Sequence, residues 1–256
     1  MGALVELING WILPVCLAPA AGSFLGVVVR RLPEGRPIAA ARSACEACGH
    51  VLGPLELIPL VSFAWQRGRC RHCGAPIAVA HPAIELAALA VAASTAAVVP
   101  AGIDLWIGCI LGWWLLTLAW IDAASFRLPD VLTLPLLLAG LAEAFWREPD
   151  QLTARAGAAA LAFGALWALA ALYRRLRGRE GLGMGDAKLL AAGGAWLGPA
   201  PLPDVLLLAA CSALCYAMLL PLRGARITGT LKLPFGPFLA GAIWLVWLWL
   251  AYEPSL

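Results

Sequence analysis

Apolar segments of membrane-spanning length recur along this chain and leave polar residues only in the stretches between them. Hydrophobic residues make up 62% of the chain and charged residues 13%, about half the charged fraction of ordinary soluble domains. Because a membrane helix needs about 20 apolar residues, the two shortest segments are expected to be tilted, re-entrant or extended by flanking polar residues. The sequence therefore predicts an all-α polytopic membrane protein with about eight transmembrane helices, at 8–29, 82–100, 103–121, 131–146, 155–173, 187–200, 203–221 and 235–252.

The distribution of Lys and Arg among the predicted loops gives the orientation of the chain. With the N-terminus outside, the cytoplasmic loops are 30–81, 122–130, 174–186 and 222–234. These loops contain fifteen Lys and Arg residues, whereas the opposite loops and span ends contain two, Arg147 and Arg155. Because cytoplasmic loops are enriched in Lys and Arg, topology explains the net charge of +3 better than nucleic-acid binding does. The first segment is expected to remain as an anchor, since it is too long for a signal peptide and no basic region precedes it.

Segment 30–81 is the one long polar stretch, and it is predicted to form a small cytoplasmic domain. It carries two Cys-x2-Cys pairs, each followed directly by a glycine that allows the tight turn of a metal knuckle. Four thiolates at this spacing favour a structural zinc ion, with free or redox-active thiols as the alternative. The neighbouring His50 and His72 are interpreted as flanking residues, although either could replace a thiolate ligand. The predicted metal ligands are Cys45, Cys48, Cys70 and Cys73.

Two aspartates, Asp122 and Asp186, lie at the predicted cytoplasmic ends of apolar segments. Ionisable groups near membrane depth are costly and usually mark a functional site. Two carboxyl groups that meet can hold one proton between them, which is the arrangement of an aspartic protease. The 3 histidines all lie in the cysteine-bearing segment, and the sequence contains no H-E-x-x-H motif. Neither a Ser–His system nor a zinc protease is therefore favoured.

Each of these aspartates also has a structural interpretation. Asp122 could be an interfacial charge that reaches water, and Asp186 could cap the helix after the glycine-rich phrase GLGMGD. Capping and catalysis are compatible at Asp186. Asp130, which follows Pro129, is predicted to cap the next helix by accepting backbone N–H groups. Lys188 is expected to reach the membrane interface.

Six sequence phrases occur in order along nearly the whole chain. They are GSFLGVVVRRLP (22–33), IPLVSF (58–63), HPAIEL (81–86), IDAASFRLPDVLTLPLLLAGL (121–141), GLGMGDAKLLAAGGAWLG (181–198) and LPFGPFLA (233–240). With the two cysteine pairs, this ordered set resembles the type IV prepilin peptidases. That family comprises bifunctional leader peptidase/N-methyltransferases of the GxGD aspartyl protease group.

The resemblance implies a specific function and specific site residues. Asp122 and Asp186 match the two catalytic aspartates of the family, and the four cysteines match its metal-binding tetrad. The enzyme would sit in the bacterial inner membrane and cut the basic leader of type IV prepilins or pseudopilins on the cytoplasmic side, after a glycine. It would then methylate the new N-terminal residue with S-adenosylmethionine. The implied division is a first transmembrane helix (1–29), a cytoplasmic metal-binding and methyltransferase-associated domain (30–81) and a transmembrane peptidase domain (82–256).

Two alternatives to this bifunctional enzyme remain open. A peptidase-only enzyme is the first, because many members have Asn at the position of Gly26 and Tyr at that of His81, in the region associated with methyl transfer. A non-catalytic, zinc-stabilised membrane scaffold or transporter is the second. No glycine-rich fingerprint in the sequence identifies the S-adenosylmethionine-binding residues. Glu56 and Glu85 are candidates for positioning the substrate amine, and ordinary charged boundary residues explain them equally well.

Overall fold

The computed structural model describes residues 10–38, 42–178, 183–223 and 233–252. Within these ranges the protein is helical, and its extended pairings are two isolated bridges, Ala44 with Val51 and Arg69 with Pro76. This confirms the predicted all-α class. The helices are α1 (Ile12–Arg31), α2 (Val61–Trp65), α3 (Ala80–Val98), α4 (Ile103–Ser125), α5 (Asp130–Arg147), α6 (Leu152–Arg177), α7 (Met184–Leu197), α8 (Leu202–Leu219) and α9 (Gly236–Tyr252).

Membrane-spanning capacity is clearest in five of the helical stretches of the described chain. Four are α1, α3, α4 and α8, and the fifth is Pro149–Arg177, which contains α6. α9 is apolar but shorter. Each predicted apolar segment overlaps a helix over most of its length, and five long apolar helices make this a multi-pass membrane protein. The larger count of about eight spans stays a prediction.

The chain forms two compact units, Met1–Thr117 and Leu118–Leu256. In the first unit α1 packs closely on α3, because a glycine lies where the two helices meet. A Cβ atom added at Gly22 would lie 2.6 Å from Glu85 Cα and 2.9 Å from Ala88 Cβ. One turn later Gly26 faces Ile84, where an added Cβ would be 3.4 Å from the Ile84 Cγ2. Small residues four apart allow this close approach of membrane helices.

In the second unit α7 is the central helix, and its side chains are buried from Leu189 to Trp196. It packs against α5, α6 and α9. Its small residues permit this crowding, since an added Cβ at Gly193 would lie 3.0 Å from Ile243 Cδ1 of α9. The Trp196 indole N–H donates to the Leu136 carbonyl oxygen of α5 at 2.9 Å. The run AAGGAW thus fixes α7 among its neighbours, and α7 begins with the segment that carries Asp186.

Replacing Gly194 with Ala is expected to destabilise the second unit. The added Cβ would lie 2.9 Å from the Ala158 carbonyl carbon and the Ala159 backbone nitrogen of α6, and backbone atoms cannot rotate away. Overpacking of this kind costs about 1–3 kcal/mol, so the thermal unfolding midpoint in detergent should fall. Gly164→Ala is the matched control, because its added Cβ would meet nothing within 4 Å. A midpoint that is equal in the two variants would contradict the close packing of α6 and α7.

Candidate active site and candidate metal centre

Asp122 lies in the last turn of α4, and only 6% of the residue is exposed. Its Oδ2 atom accepts a hydrogen bond from the Gly236 backbone N–H at 2.9 Å. Gly236 is the first residue of α9, so the carboxyl group lies at a helix N-terminus, where negative charge is favoured. A side chain at position 236 would not fit, since an added Cβ would lie 2.6 Å from Asp122 Oδ2. The glycine therefore lets the backbone reach the carboxylate.

Asp186 lies in the first turn of α7, and 8% of the residue is exposed. The helix follows Gly183, whose backbone is extended with φ −74° and ψ 140°, and the Asp186 N–H donates to the Gly183 carbonyl oxygen at 3.2 Å. Gly185 leaves room for Leu128, because an added Cβ would lie 2.8 Å from Leu128 Cβ. Gly183 and Gly185 thus set the start of α7 and the position of Asp186.

The structure brings Asp122 and Asp186 together in the second unit. Their carboxyl groups are near enough that the charge on one acts on the other. Each is mostly buried at a helix end, so two carboxyl groups share a site with little access to water. Such a pair holds a single negative charge more easily than two, which suits general acid–base chemistry.

Asp130 and Lys188 form an ion pair that the sequence did not indicate. The Lys188 Nζ donates to Asp130 Oδ1 at 2.5 Å, which joins the first turn of α5 to the first turns of α7. The prediction that Asp130 caps α5 is wrong, because Pro129 is the N-cap residue and its helix start has no side-chain cap. The long Lys188 side chain competes for the Asp130 carboxylate, and the charge-assisted bond is stronger than a bond to a neutral N–H. Lys188 is therefore paired with Asp130 rather than directed at Asp186.

Gly236→Ala is expected to lower the peptide cleavage that the family resemblance implies more than it lowers stability. The added methyl group would overlap the Asp122 carboxyl group, whose Oδ2 lies 2.6 Å away, and would displace it from the Gly236 N–H. Each tenfold loss of rate corresponds to about 1.4 kcal/mol, and we expect a loss of at least tenfold. Peptide cleavage and the unfolding midpoint are measured together. Gly241→Ala in the same helix is the control, because its added Cβ meets nothing within 4 Å; equal rates in the two variants would contradict this role of Gly236.

The cysteine-bearing segment contains two knuckles of equivalent backbone geometry. In the first, the Gly49 N–H donates to the Cys45 carbonyl oxygen at 2.9 Å, and in the second the Gly74 N–H donates to that of Cys70 at 2.9 Å. The two glycines have φ values of +72° and +73°, which favour glycine over other residues. Each knuckle therefore turns its pair of thiols toward one point.

The four thiols form a cluster that fits a tetrahedral metal ion. The Sγ atoms of the four predicted cysteines lie within 4.8 Å of one another, and those of Cys45 and Cys73 are 3.8 Å apart. A zinc ion with Zn–S distances of about 2.3 Å requires sulfur atoms about 3.8 Å apart. Backbone N–H groups of Cys48 and Ala47 lower the pKa of the Cys45 thiol to about 6, whereas desolvation and the three neighbouring thiols raise the pKa of the Cys48 thiol to about 12. All 8 cysteines are described, and they are free of disulfides.

The two histidines flank this cluster without belonging to it. The His50 and His72 rings stack with centroids 4.8 Å apart, and the metal-binding group found among the described residues consists of the four cysteines. His50 Nε2 lies 3.7 Å from Glu56 Oε2, and that carboxylate also accepts the Gly53 N–H at 2.9 Å. Glu56 thus holds the loop beside the cluster. This placement agrees with the interpretation of both histidines as flanking residues.

The comparisons with known proteins match most of the chain. Residues 16–99 match the family model of the bacterial peptidase A24 N-terminal domain, and residues 109–218 match that of the type IV leader peptidase family. A prepilin leader peptidase/N-methyltransferase from Burkholderia pseudomallei (strain 1026b) is 41% identical over 252 residues, covering 88% of this chain and 81% of the relative. The chain belongs to the type IV leader peptidase family. As a member of this family it is an enzyme.

Relatives in other bacteria extend the match over nearly the full length. A prepilin leader peptidase/N-methyltransferase from Aeromonas hydrophila is 37% identical over 279 residues, covering 97% of this chain and 96% of the relative. A prepilin leader peptidase/N-methyltransferase from Pseudomonas aeruginosa is 37% identical over 259 residues, covering 92% of this chain and 89% of the relative. No solved structure matches the chain at a significant level. The type IV leader peptidase match contains both Asp122 and Asp186, and the N-terminal match contains the four cysteines.

Sequence reasoning missed two polar contacts in the second unit. The first is the Gly236 N–H, although LPFGPFLA was among the phrases that carry the resemblance. The second is the Asp130–Lys188 pair, because each residue alone is a common type at a helix start. A glycine flanked by Phe235 and Pro237 at the start of an apolar helix is the signal that could have indicated a close backbone approach.

Proposed function

We propose that this type IV leader peptidase cleaves the leader peptide of type IV prepilins or pseudopilins and then methylates the new N-terminal amine. The observation that carries the proposal is the pairing of two buried carboxyl groups, Asp122 and Asp186, at helix ends of one unit. The names of the relatives support both activities. The active site faces the cytoplasm of a bacterial inner-membrane protein, because the Lys and Arg residues concentrate on that side.

Cleavage proceeds by acid–base catalysis between the two aspartates. One carboxylate takes a proton from a water molecule as the water oxygen attacks the scissile carbonyl carbon, and the protonated partner donates its proton to the carbonyl oxygen. The tetrahedral intermediate then collapses, the C–N bond breaks, and the leaving nitrogen receives a proton. The Gly236 N–H holds the Asp122 carboxyl group through Oδ2. No covalent intermediate with the protein is needed.

We assign a separate role to each of the three segments expected from the sequence. Residues 1–29 anchor the chain, residues 30–81 form the cytoplasmic domain, and residues 82–256 form the peptidase. Zinc is the metal that fits four cysteine thiols, and its role is structural because the protein would fill all four positions. A segment of about 50 residues has little core of its own, so metal binding would supply part of its folding energy. S-adenosylmethionine supplies the methyl group.

Product analysis of the wild-type enzyme tests this function. Purified protein in nanodiscs is incubated with a full-length prepilin, with and without S-adenosylmethionine, and the product is measured by mass spectrometry. We expect loss of the leader in both reactions and a further gain of one methyl mass only with the donor. A cleaved but unmethylated product in the presence of the donor would leave a peptidase-only enzyme. An intact prepilin would favour the non-catalytic scaffold and refute the proposal.

A further inference from the structure

Large apolar side chains are exposed along residues 55–65 of the cysteine-bearing segment. Val61 is 56% exposed and Trp65 is 77% exposed, and Leu55 and Ile58 are exposed as well. Val61 and Trp65 are four residues apart in the short helix α2, so both lie on one side of it. We name these four side chains the apolar face. A cluster of exposed apolar residues marks a surface that contacts a membrane or another protein.

The polar side chains of the same helical turn face into the protein. Ser62 and Gln66, together with Phe63, line a cavity of the first unit, whereas that lining includes neither Val61 nor Trp65. A helix that packs on a protein core in water turns its apolar side inward and its polar side outward. Because the serine and the glutamine face inward here, the outer side of α2 is suited to apolar surroundings rather than to water.

A hydrogen bond holds the start of α2 beside the first turns of α3. Leu60 is the N-cap residue of α2, and its backbone N–H donates to Glu85 Oε2 at 2.8 Å. Because α3 has 19 residues, nearly all of them are needed to cross about 30 Å of hydrocarbon. Glu85 lies only about 8 Å along the axis from the first residue of α3. The start of α2 therefore lies at the depth where α3 enters the bilayer.

Two basic residues lie next to the apolar face, and we name them the basic rim. Arg67 and Arg71 are exposed, and Arg71 lines a cavity of about 360 Å³ together with Leu55. Glu56 also lines this cavity, but its carboxylate already accepts the Gly53 N–H at 2.9 Å. Arginine forms forked hydrogen bonds with phosphate, and tryptophan is enriched where a membrane meets water. This combination matches the boundary between acyl chains and anionic headgroups.

We propose that the apolar face lies in the bilayer interface and that the basic rim binds the phosphate groups of anionic lipids. The cysteine-bearing segment is thereby attached to the membrane in its middle as well as at its two helical ends. Lipid is the occupant because α1 and α3 both enter the membrane and the Glu85 contact holds α2 at that depth. This lipid contact goes beyond the proposed function and does not depend on either proposed activity.

Photocrosslinking of the full-length protein to lipid tests this surface. The photoreactive residue p-benzoylphenylalanine is incorporated in place of Trp65, and the protein is illuminated in nanodiscs without prepilin. Val51 is the matched control position, because it is an exposed apolar residue of the same segment but pairs with Ala44 beside the first knuckle. We expect about tenfold more lipid adduct at position 65 than at position 51, because aromatic side chains at the interface contact lipid. Mass spectrometry identifies the adducts, and metal content confirms that both proteins are folded.

Polar substitution of the apolar face provides a second measurement. In the variant with Val61→Ser and Trp65→Ser, hydrogen exchange over residues 54–68 in nanodiscs should become about tenfold faster, because the segment loses its contact with lipid. Val51→Ser is the control and should leave this exchange within about twofold of wild type. An apolar face that is only in water would keep its exchange rates after the two serine substitutions.

The charge of the headgroups tests the basic rim. Wild-type exchange over residues 54–68 should be slower in nanodiscs that contain phosphatidylglycerol than in nanodiscs of phosphatidylcholine alone, because anionic lipids attract arginine. Arg67→Gln together with Arg71→Gln should abolish this difference. Arg177→Gln removes a positive charge from the last turn of α6 in the second unit and should preserve the difference.

Several results would overturn this proposal. Adducts that join position 65 to another part of this chain or to a second copy would show that protein covers the apolar face. Adducts that change from lipid to prepilin when prepilin is added would assign the face to the substrate. Equal lipid adducts at positions 51 and 65, or unchanged exchange after the two serine substitutions, would refute the interfacial contact. Wild-type exchange that is equal in the two kinds of nanodisc would refute the phosphate contact of the basic rim.

Discussion

Asp122→Asn and Asp186→Asn are each expected to abolish leader cleavage while the protein stays folded. Neither amide can take a proton from water or donate one to a carbonyl oxygen as a carboxyl group does. General acid–base groups contribute about 10²–10⁴-fold to rate, so we expect at least a hundredfold loss for each variant. The fold should survive, because the amide oxygen in Asp122→Asn could still accept the Gly236 N–H that Asp122 Oδ2 accepts at 2.9 Å. Cleavage is measured on a full-length prepilin, alongside the unfolding midpoint.

Asp204→Asn provides the matched control for this pair of variants. Asp204 lies in the first turn of α8 and is exposed, so it shares the residue type and the helix-start position but not the burial. Its cleavage rate should equal that of wild type. Near wild-type cleavage by either Asp122→Asn or Asp186→Asn would refute the aspartate-pair mechanism. The double variant should lose little more cleavage activity than each single variant, because the effects of substituting residues that act as a unit are not additive.

Hydropathy located the helices but not their ends. The segment predicted at 103–121 is a helix over Ile103–Ser125, so Asp122 lies inside α4 rather than just beyond it. The segment predicted at 155–173 extends over Leu152–Arg177. The cause is physical, since the pattern of apolar residues reports contact with lipid, whereas the helix continues for as long as its backbone hydrogen bonds do. α7 ends before the limit of its predicted segment because Gly198, with φ +79°, terminates it.

Local sequence patterns were sufficient to predict the cysteine cluster, but they were insufficient to predict the contacts of the aspartates. Two Cys-x2-Cys-Gly phrases encode their own knuckles, so the pattern alone predicts that four thiols can meet. The bond from Gly236 to Asp122 joins residues 114 positions apart, and that from Lys188 to Asp130 joins residues 58 positions apart. Such pairings depend on how α4, α5, α7 and α9 pack, which no local pattern specifies.

Removal of the four cysteines is expected to release the metal and unfold the cysteine-bearing segment. Structural zinc in small domains contributes about 10–16 kcal/mol of apparent binding free energy, which exceeds what a core of about 50 residues supplies. Cys45→Ser should already lower the metal content, because the remaining three thiols leave one position of the tetrahedron open. Metal is measured by mass spectrometry of the purified protein, and local stability by hydrogen exchange across residues 42–81.

We expect the loss of metal and of protection from hydrogen exchange only when one of the four clustered cysteines is changed. A cysteine outside the cluster therefore provides the control. Cys215→Ser changes an exposed cysteine of α8 and should leave metal content and hydrogen exchange unchanged. The Gly49 and Gly74 N–H groups donate to the Cys45 and Cys70 carbonyl oxygens. Most residues of these short turns are exposed, so the amide groups should exchange rapidly once the metal is gone. Stoichiometric metal in the protein with all four cysteines changed to serine would show that the ion binds elsewhere. Slow exchange in that metal-free variant would show instead that the segment folds without it.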